Sequence, residues 1–216
     1  MIGHLRDTIA AIATPMGEGA ISVIRVSGES AIGNVANRFR GKQNLATAKS
    51  HTAHFGRIVD AQGNIIDDVI CTIFLAPRSF TGEDTVEISC HGGIHVTRRV
   101  LECLLETGTR PAEPGEFTQR AFLNGKLDLS QAEAVADLIQ AQSDKACKTS
   151  LDQLEGTLSK GIRLIRDQMV RSLGLIELEL DFVEEDLELI DKKKFEESIE
   201  SGISAIEKLL CTYKYG

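Results

Sequence analysis

The sequence lacks several features, and each absence excludes a class of protein. No stretch approaches the roughly 18 consecutive apolar residues of a membrane span, and residues 1–7 lack the apolar segment of a secretory signal. Only four prolines are present, and of the 216 residues 42% are hydrophobic and 26% are charged. These proportions exclude a disordered chain and a collagen-like repeat, and they predict a globular protein without membrane attachment.

Cysteine is scarce and irregularly placed. The chain has five cysteines and no Cys-x-x-Cys pair; the five are Cys71, Cys90, Cys103, Cys147 and Cys211. Disulfide frameworks use even numbers of cysteines, and zinc sites use closely spaced ligands. We therefore expect neither, and we predict that the protein works in the reducing cytoplasm.

Charge divides the chain into two parts of different composition. Residues 1–126 carry 13 basic and 13 acidic residues, whereas residues 127–216 carry 11 and 19, which accounts for the whole net charge of −8. The shift predicts two structural units joined near Lys126, and we assign residues 1–120 to the first domain and 121–216 to the second. The acidic second unit is a poor candidate for a broad phosphate-binding surface.

The first part alternates between strand-like and helix-like patterns. Short β-branched runs bounded by glycine or proline predict strands, and apolar residues three and four apart predict helices. The predicted strands are 8–14, 20–28, 53–59, 65–75 and 84–90, the predicted helices are 30–39 and the segment after Gly93, and residues 60–64 form a hairpin loop. Hairpins mixed with helices favour an α+β fold, with this mixed α/β domain preceding a helical one.

The second part has helical patterns throughout. Ser130-Gln131-Ala132-Glu133 has the pattern of a capping box. Apolar residues at spacings of three or four predict one long amphipathic helix over 151–183, and a second stripe covers 195–210. Residues 184–191 between them are predicted to form a solvated turn. Because a few long helices cannot cover each other's apolar stripes well, we predict an incomplete all-helical bundle.

Common catalytic motifs are absent from the sequence. The Gly-Lys pairs at residues 41–42 and 125–126 lack the other residues of a Walker A phosphate-binding loop. Gly17-x-Gly19-x-x-Ser22 precedes a predicted strand instead of following one, so it is not a dinucleotide-binding turn. Neither His-Glu-x-x-His nor Gly-x-Ser-x-Gly occurs. We therefore predict no catalytic residue and no metal site within the 216 residues.

Three residues and one segment remain as candidates, each with a purely structural alternative. Arg25 lies among apolar β-branched residues, where a buried arginine needs an anion, either an internal carboxylate such as Glu87 or a ligand. Glu87 alternates with apolar neighbours and could equally face solvent. His91 could be a base or metal ligand, although a packed or capping histidine is favoured. Residues 114–126, at the join of the two parts, form either a ligand site or a structured linker.

Three ordered motifs are long enough to identify a family. They are Phe80-Thr81-Gly82-Glu83-Asp84-Thr85-Val86-Glu87-Ile88, His91-Gly92-Gly93 and residues 114–134. Together with residues 7–28, they resemble the MnmE (TrmE) family of tRNA modification GTPases, and the resemblance covers the whole chain. The resemblance implies an N-terminal α/β domain similar to tetrahydrofolate-binding domains, then a helical domain with an inserted Ras-like G domain. We expect the insertion point near residue 216, and we expect the G domain and the family's C-terminal Cys-x-Gly-Lys tail to be absent from these residues.

The resemblance also implies a function for the full-length protein. With an FAD-dependent partner of the GidA/MnmG type, family members add an aminomethyl or carboxymethylaminomethyl group at C5 of the wobble uridine of tRNA. A tetrahydrofolate derivative, 5-formyl- or 5,10-methylene-tetrahydrofolate, supplies the one-carbon unit. Hydrolysis of GTP, which needs Mg²⁺ and K⁺, takes place in the G domain and drives a conformational cycle.

Within this chain, the resemblance implies a folate site and a dimer. The family's folate-binding positions fall on Arg25, Glu87 and Lys126, and the family dimerises through its N-terminal domain. A carboxylate can accept hydrogen bonds from a pterin ring, and cations suit the folate's glutamate tail. Two other interpretations stay open: a stand-alone folate-dependent one-carbon transferase, and a non-catalytic dimerisation scaffold.

Overall fold

The structure, a computed structural model, describes residues 7–181 and 192–214. The chain folds as two units, Met1–Leu127 and Asp128–Gly216. The first unit contains a sheet covered by helices, and the described residues of the second unit form helices and no strand. The predicted α+β class, an α/β domain followed by a helical domain, is therefore confirmed.

The first unit is built on a seven-stranded sheet with the order β3-β4-β5-β6-β2-β1-β7. All neighbouring strands are antiparallel except β1 and β7, which are parallel. The strands are β1 (Ile9–Ile12), β2 (Ile21–Ser27), β3 (Phe39–Gly41), β4 (Thr52–Val59), β5 (Ile65–Phe74), β6 (Thr85–His91) and β7 (Arg110–Pro111). The helices are α1 (Ala31–Arg38), α2 (Ile94–Leu105) and α3 (Glu116–Leu123), with a 3-10 turn at Leu45–Thr47.

The core of the first unit lies between one face of the sheet and helices α1 and α2. Alternate residues of the central strands, such as Ile24 and Ile88, are completely buried against helix residues such as Val35 and Val100. The intervening residues, including Arg25 of β2, therefore project from the opposite side of the sheet, which we call the second face. Alternation thus separates an apolar core from a face able to carry polar groups.

The predicted elements of the first unit are found in the structure, whereas its two shortest strands were not predicted. The strands and the loop at residues 60–64 lie within one or two residues of their predicted positions. Strands β3 and β7 have only three and two residues, too few for an alternating pattern. Helix α3 falls in the segment 114–126 and begins after Gly115, which has a φ of +77°.

The second unit consists of four helices in its described residues. They are α4 (Leu129–Gln140), α5 (Asp144–Leu154), α6 (Thr157–Asp181) and α7 (Lys192–Lys214). The prediction of a single long helix over 151–183 is wrong, because helix α5 ends at Leu154 and a separate helix, α6, begins at Thr157. Gly156 has a φ of +77°, the left-handed conformation in which glycine ends a helix. The apolar spacing continues across this break, so periodicity alone did not reveal it.

The helix cap predicted at Ser130 is also corrected. Helix α4 begins two residues earlier, with Asp128 as its N-cap and Gln131 as the reciprocal partner of a capping box. Hydrogen bonds, first from Ser159 and then from the backbone of Gln131 and the hydroxyl of Ser130, hold the pKa of Asp128 below its ordinary value. Aspartate and serine are both good N-caps, so the sequence offered two solutions for one helix start.

The helical unit leaves much of its apolar surface exposed. Ala134 is the one hydrophobic residue of this unit that is buried among the described residues. Many larger ones are exposed, among them Ile139, Leu164, Met169, Leu173, Ile203 and Leu210. This confirms the predicted incomplete bundle. The turn predicted at 184–191 lies outside the described residues. Among the helices that the structure describes, none is both long and apolar enough to cross a membrane.

The five cysteines are all free thiols, and they differ sharply in environment. Cys71, Cys90 and Cys103 are buried in the first unit, whereas Cys147 is half-buried and Cys211 is exposed in the second. Burial raises the pKa of Cys71 to about 12 and also raises the pKa of Cys90 and of Cys103. The buried thiols behave as small apolar side chains of the core.

Candidate functional site

Arg25 and Glu87 form an ion pair across neighbouring strands on the second face. The β2–β6 register places the two residues directly opposite each other. Arg25 Nε and Nη2 donate hydrogen bonds of 3.0 and 2.7 Å to the same oxygen, Glu87 Oε1. The two side chains are 24% and 30% exposed. The internal carboxylate considered for Arg25 is therefore present, and the pair remains accessible.

Two atoms of this pair have no hydrogen-bond partner among the described residues. Among the hydrogen bonds of the described residues, none involves Glu87 Oε2 or Arg25 Nη1. Their neighbours on the adjoining strands are short, because the register places Ala11 beside Arg25 and Thr72 beside Glu87. An acceptor next to a donor suits a planar group whose edge carries both N–H and C=O.

Two aromatic rings surround the guanidinium of Arg25. Its Cζ lies 5.0 Å from the ring centroid of Phe80 and 5.6 Å from that of Phe117. Phe80 belongs to the loop between β5 and β6, and Phe117 to the first turn of α3. Both distances are within the range of cation–π attraction. The segment 114–126 therefore contributes to the surroundings of Arg25.

Lys126 reaches the loop that carries Phe80. Its Nζ donates a 3.1 Å hydrogen bond to the carbonyl of Pro77. Its stem packs beside Gly82, where an added Cβ would lie 3.2 Å from Lys126 Cγ. Among the described residues, no hydrogen bond or ion pair joins Lys126 to Arg25 or Glu87. The structure thus joins Arg25 and Glu87 directly, whereas Lys126 contacts the loop next to them.

A buried ionic network close to the pair was missed by sequence reasoning. Arg120 of α3 is 1% exposed and donates from Nη1 to Glu83 and to the carbonyl of Asp7, and from Nη2 to Glu116. Glu116 also accepts one hydrogen bond from each terminal nitrogen of Arg110. The i,i+4 spacing of Glu116 and Arg120 was the available signal, but an exposed helix pair has the same spacing.

The network holds the carboxylate of Glu116 in its ionised form. Hydrogen bonds from Arg110, supported by the backbone of Glu113 and by Arg120, lower the pKa of Glu116 to about 2 against the opposing effect of burial. Glu83 receives a further hydrogen bond of 2.8 Å from Ser27 at the end of β2. The network therefore ties the end of β2, the β5–β6 loop and helix α3 to one another.

His91 is paired with one carboxylate, that of Asp67. Its Nδ1 lies 2.6 Å from Asp67 Oδ1, and its backbone N–H donates to Asp67 Oδ2. The His91 side chain is 71% exposed. Within the part of the chain that the structure describes, no group of three or more His, Cys, Asp or Glu side chains could hold a metal ion.

A cavity of about 180 Å³ lies apart from the predicted site residues. It is lined by the loop between β1 and β2 and by the start of α2, including Met16, Gly19, Ser22, Gly92 and Thr97. Arg25, Glu87 and Lys126 do not line it. This cavity is therefore separate from the Arg25–Glu87 pair on the second face and from Lys126.

Comparison with known proteins gives two successive family matches. Residues 8–126 match the family described as "GTP-binding protein TrmE N-terminus", and residues 129–216 match the "MnmE helical domain". Three relatives are each named "tRNA modification GTPase MnmE". The protein from Lacticaseibacillus paracasei is 48% identical to this chain, and those from Enterococcus faecalis and Salinibacter ruber are each 50% identical to it. Each similarity covers 97% of this chain and 45% or 46% of the relative, so the chain spans about half the length of these relatives.

Proposed function

The chain belongs to the MnmE (TrmE) family of tRNA modification GTPases, and we propose that it is the N-terminal part of such an enzyme, with a folate site on its first unit. The observation that carries the proposal is the Arg25–Glu87 pair on the second face. Its side-on geometry uses one carboxylate oxygen twice and leaves Glu87 Oε2 and Arg25 Nη1 open. A pair with a solely structural role gains most from two parallel hydrogen bonds, which this geometry does not form.

The residues present fit a reduced folate. The pterin ring offers N–H groups to Glu87 Oε2 and a carbonyl oxygen to a cation such as Arg25. The carboxylates of the glutamate tail need cations, and both Arg25 and exposed Lys126 are available. When bound, the folate supplies a one-carbon unit. The protein residues hold the ligand and orient it.

In the full-length protein, the folate unit would serve a tRNA modification. We propose that it acts in the cytoplasm with an FAD-dependent GidA/MnmG-type partner, adding an aminomethyl or carboxymethylaminomethyl group at C5 of the wobble uridine. Binding and hydrolysis of GTP with Mg²⁺ and K⁺ would belong to a G domain outside these residues, because the 216 residues contain no Walker A motif.

We also propose that the first unit forms a homodimer. The second face carries large exposed apolar side chains that lie on adjacent rows of the sheet: Phe55 is 71% exposed, Ile21 66% and Ile70 45%. Such patches on soluble proteins commonly mark interaction surfaces. The first part of the chain has no net charge, so two copies would meet without strong repulsion.

Titration calorimetry with 5-formyltetrahydrofolate tests the folate site. We expect the chain to bind this ligand, and Glu87→Ala to weaken binding about ten- to a hundredfold, because a charge-assisted contact is worth about 1.5–3 kcal/mol. Glu102→Ala is the matched control, since Glu102 lies on α2, which covers the opposite face of the sheet. Unchanged affinity in Glu87→Ala would contradict the site.

The same preparation separates the alternative functions. Absence of folate binding by the wild-type chain would favour the dimerisation scaffold, and one-carbon transfer to a small amine would favour a stand-alone transferase. Binding of GTP by these 216 residues would contradict the proposal that GTP binds to a separate G domain. Sedimentation tests the dimer: Phe55→Ser should shift it towards monomer, whereas Met16→Ser, in the β1–β2 loop, should not.

A further inference from the structure

We infer that Phe80 and Phe117 are positioning residues of the proposed folate site and act through Arg25. They hold its guanidinium so that Arg25 Nη1 and Glu87 Oε2 stay turned towards the ligand. This inference rests on the proposed folate function. It concerns how the site keeps its shape, not which ligand the site accepts.

The first argument is the way the pair is hydrogen-bonded. Arg25 donates Nε and Nη2 to one oxygen of Glu87. An arginine free to rotate would reach the bidentate arrangement, in which both carboxylate oxygens are used. The rings of Phe80 and Phe117 lie 5.0 and 5.6 Å from Arg25 Cζ, close enough for cation–π attraction to hold the guanidinium in the observed orientation. The rings therefore keep one acceptor and one donor unused.

The second argument is that both rings are fixed to a rigid base. Phe117 is one residue after Glu116 on α3, and Phe80 is three residues before Glu83. Arg120 is bonded to both of these carboxylates, at 2.9 Å from Glu116 Oε1 and 3.2 Å from Glu83 Oε2. The buried ionic network thus joins the two segments that carry the rings. Each ring therefore lies within three residues of a carboxylate that Arg120 holds in place.

A purely structural role would have a different signature. If the rings contributed only packing, replacing them would destabilise the unit equally whether or not Arg25 were present. If they act through the guanidinium, their effect on folate affinity must disappear once the guanidinium is removed. A double-mutant cycle separates these two cases.

The test uses the 216-residue chain and 5-formyltetrahydrofolate. Phe117→Leu and Phe80→Leu should each weaken binding about three- to tenfold, the range expected from losing a partly exposed cation–π contact. Phe117→Tyr should retain most of the affinity, because it keeps the ring. Phe122→Leu is the matched control, on the same helix but 40% exposed and without a ring contact to Arg25. In an Arg25→Met background, Phe117→Leu should change affinity by less than about twofold.

A second measurement needs no ligand. The ¹⁵N-coupled Nε–Hε resonance of Arg25 should be sharp and ring-shifted in the wild-type chain, and it should broaden and lose that shift in Phe117→Leu. An unchanged resonance in both leucine variants would overturn the inference, as would equal losses of folate affinity with and without Arg25. If the wild-type chain binds no folate, the proposed function fails, while the resonance still reports whether the rings hold Arg25.

Discussion

The two units of the chain use their apolar residues in opposite ways. In the first, helices α1 and α2 cover one face of the sheet, and residues such as Ile24, Ile73 and Leu104 are completely buried. In the second, helices α6 and α7 carry long apolar stripes, yet Leu164 is 68% exposed and Leu210 59%. The difference shows that a strong amphipathic pattern predicts a helix without guaranteeing a core.

The contrast should be visible first in hydrogen exchange. Backbone amides of residues 192–214 should exchange orders of magnitude faster than those of β2, because exposed apolar surface costs about 25 cal/mol per Å² and the helical unit recovers little of it. Exchange mass spectrometry of the 216-residue chain provides the measurement. Equal protection of the two regions would mean that α6 and α7 cover each other's apolar stripes, and it would contradict the contrast between the two units.

Breaking the buried network should reverse part of that contrast. Arg120→Met leaves the buried carboxylate of Glu116 and the half-buried carboxylate of Glu83 without their shared cation and should destabilise the first unit by about 3–5 kcal/mol. The change would be measured from urea dependence of exchange at β2 amides. Arg163→Met is the control in the helical unit. Arg163 is 67% exposed and lies 3.6 Å from Asp128, so its loss should matter by less than about 0.5 kcal/mol. A comparable loss in both variants would contradict the importance of burial.

Acid should act on the first unit through Glu116. The pKa of this carboxyl falls from 4.5 to about 2 on folding, chiefly through hydrogen bonds from Arg110. A depressed folded-state pKa means that the ionised group stabilises the fold above about pH 4.5 and that this stabilisation is lost as pH falls towards 2. Unfolding curves between these values should show the loss in the wild-type chain. Glu116→Gln should be less stable at neutral pH and lack this part of the slope; a parallel pH profile would exclude Glu116 as its source.

Two glycines of the helical unit should respond in opposite directions, with the smallest effects. Gly156→Ala should destabilise by about 1 kcal/mol, because a φ of +77° is unfavourable for a residue with a Cβ. Gly174→Ala should stabilise by about 1 kcal/mol, since Gly174 is within α6 and an added Cβ meets nothing within 4 Å. Thermal unfolding of the two variants provides a matched test. Stabilisation by both would argue that α5 and α6 are continuous in solution.

The sequence predicted the local elements better than the contacts between them. Alternation along β6 indicated that Glu87 projects away from Val86 and Ile88, and the strand pattern placed Arg25 among buried neighbours. Their ion pair depends on the register between strands separated by 62 positions in the chain, which no local pattern encodes. Glu87 was considered as one possible partner of Arg25, whereas the network around Arg120 was missed, because its partners Glu83 and Asp7 are distant in sequence.

The errors in the helical unit have a different cause. Gly156 ends α5 by adopting a positive φ, whereas Gly161 and Gly174 are accommodated within α6. All three glycines look alike in an apolar repeat, because the backbone conformation of each depends on its surroundings. The start of α4 at Asp128 instead of the predicted Ser130 reflects a choice between two competent caps two residues apart.

The placement of the thiols makes the chain a selective target for alkylating reagents. Thiolates react and thiols do not, so the pKa of about 12 imposed on Cys71 by burial keeps it inert in the folded unit. Cys90 and Cys103 are buried beside the same core, whereas Cys211 is exposed near the end of α7. A maleimide dye would therefore attach first to the helical unit, and a fluorophore on Cys211 would follow movements of α7 while the sheet stays unlabelled.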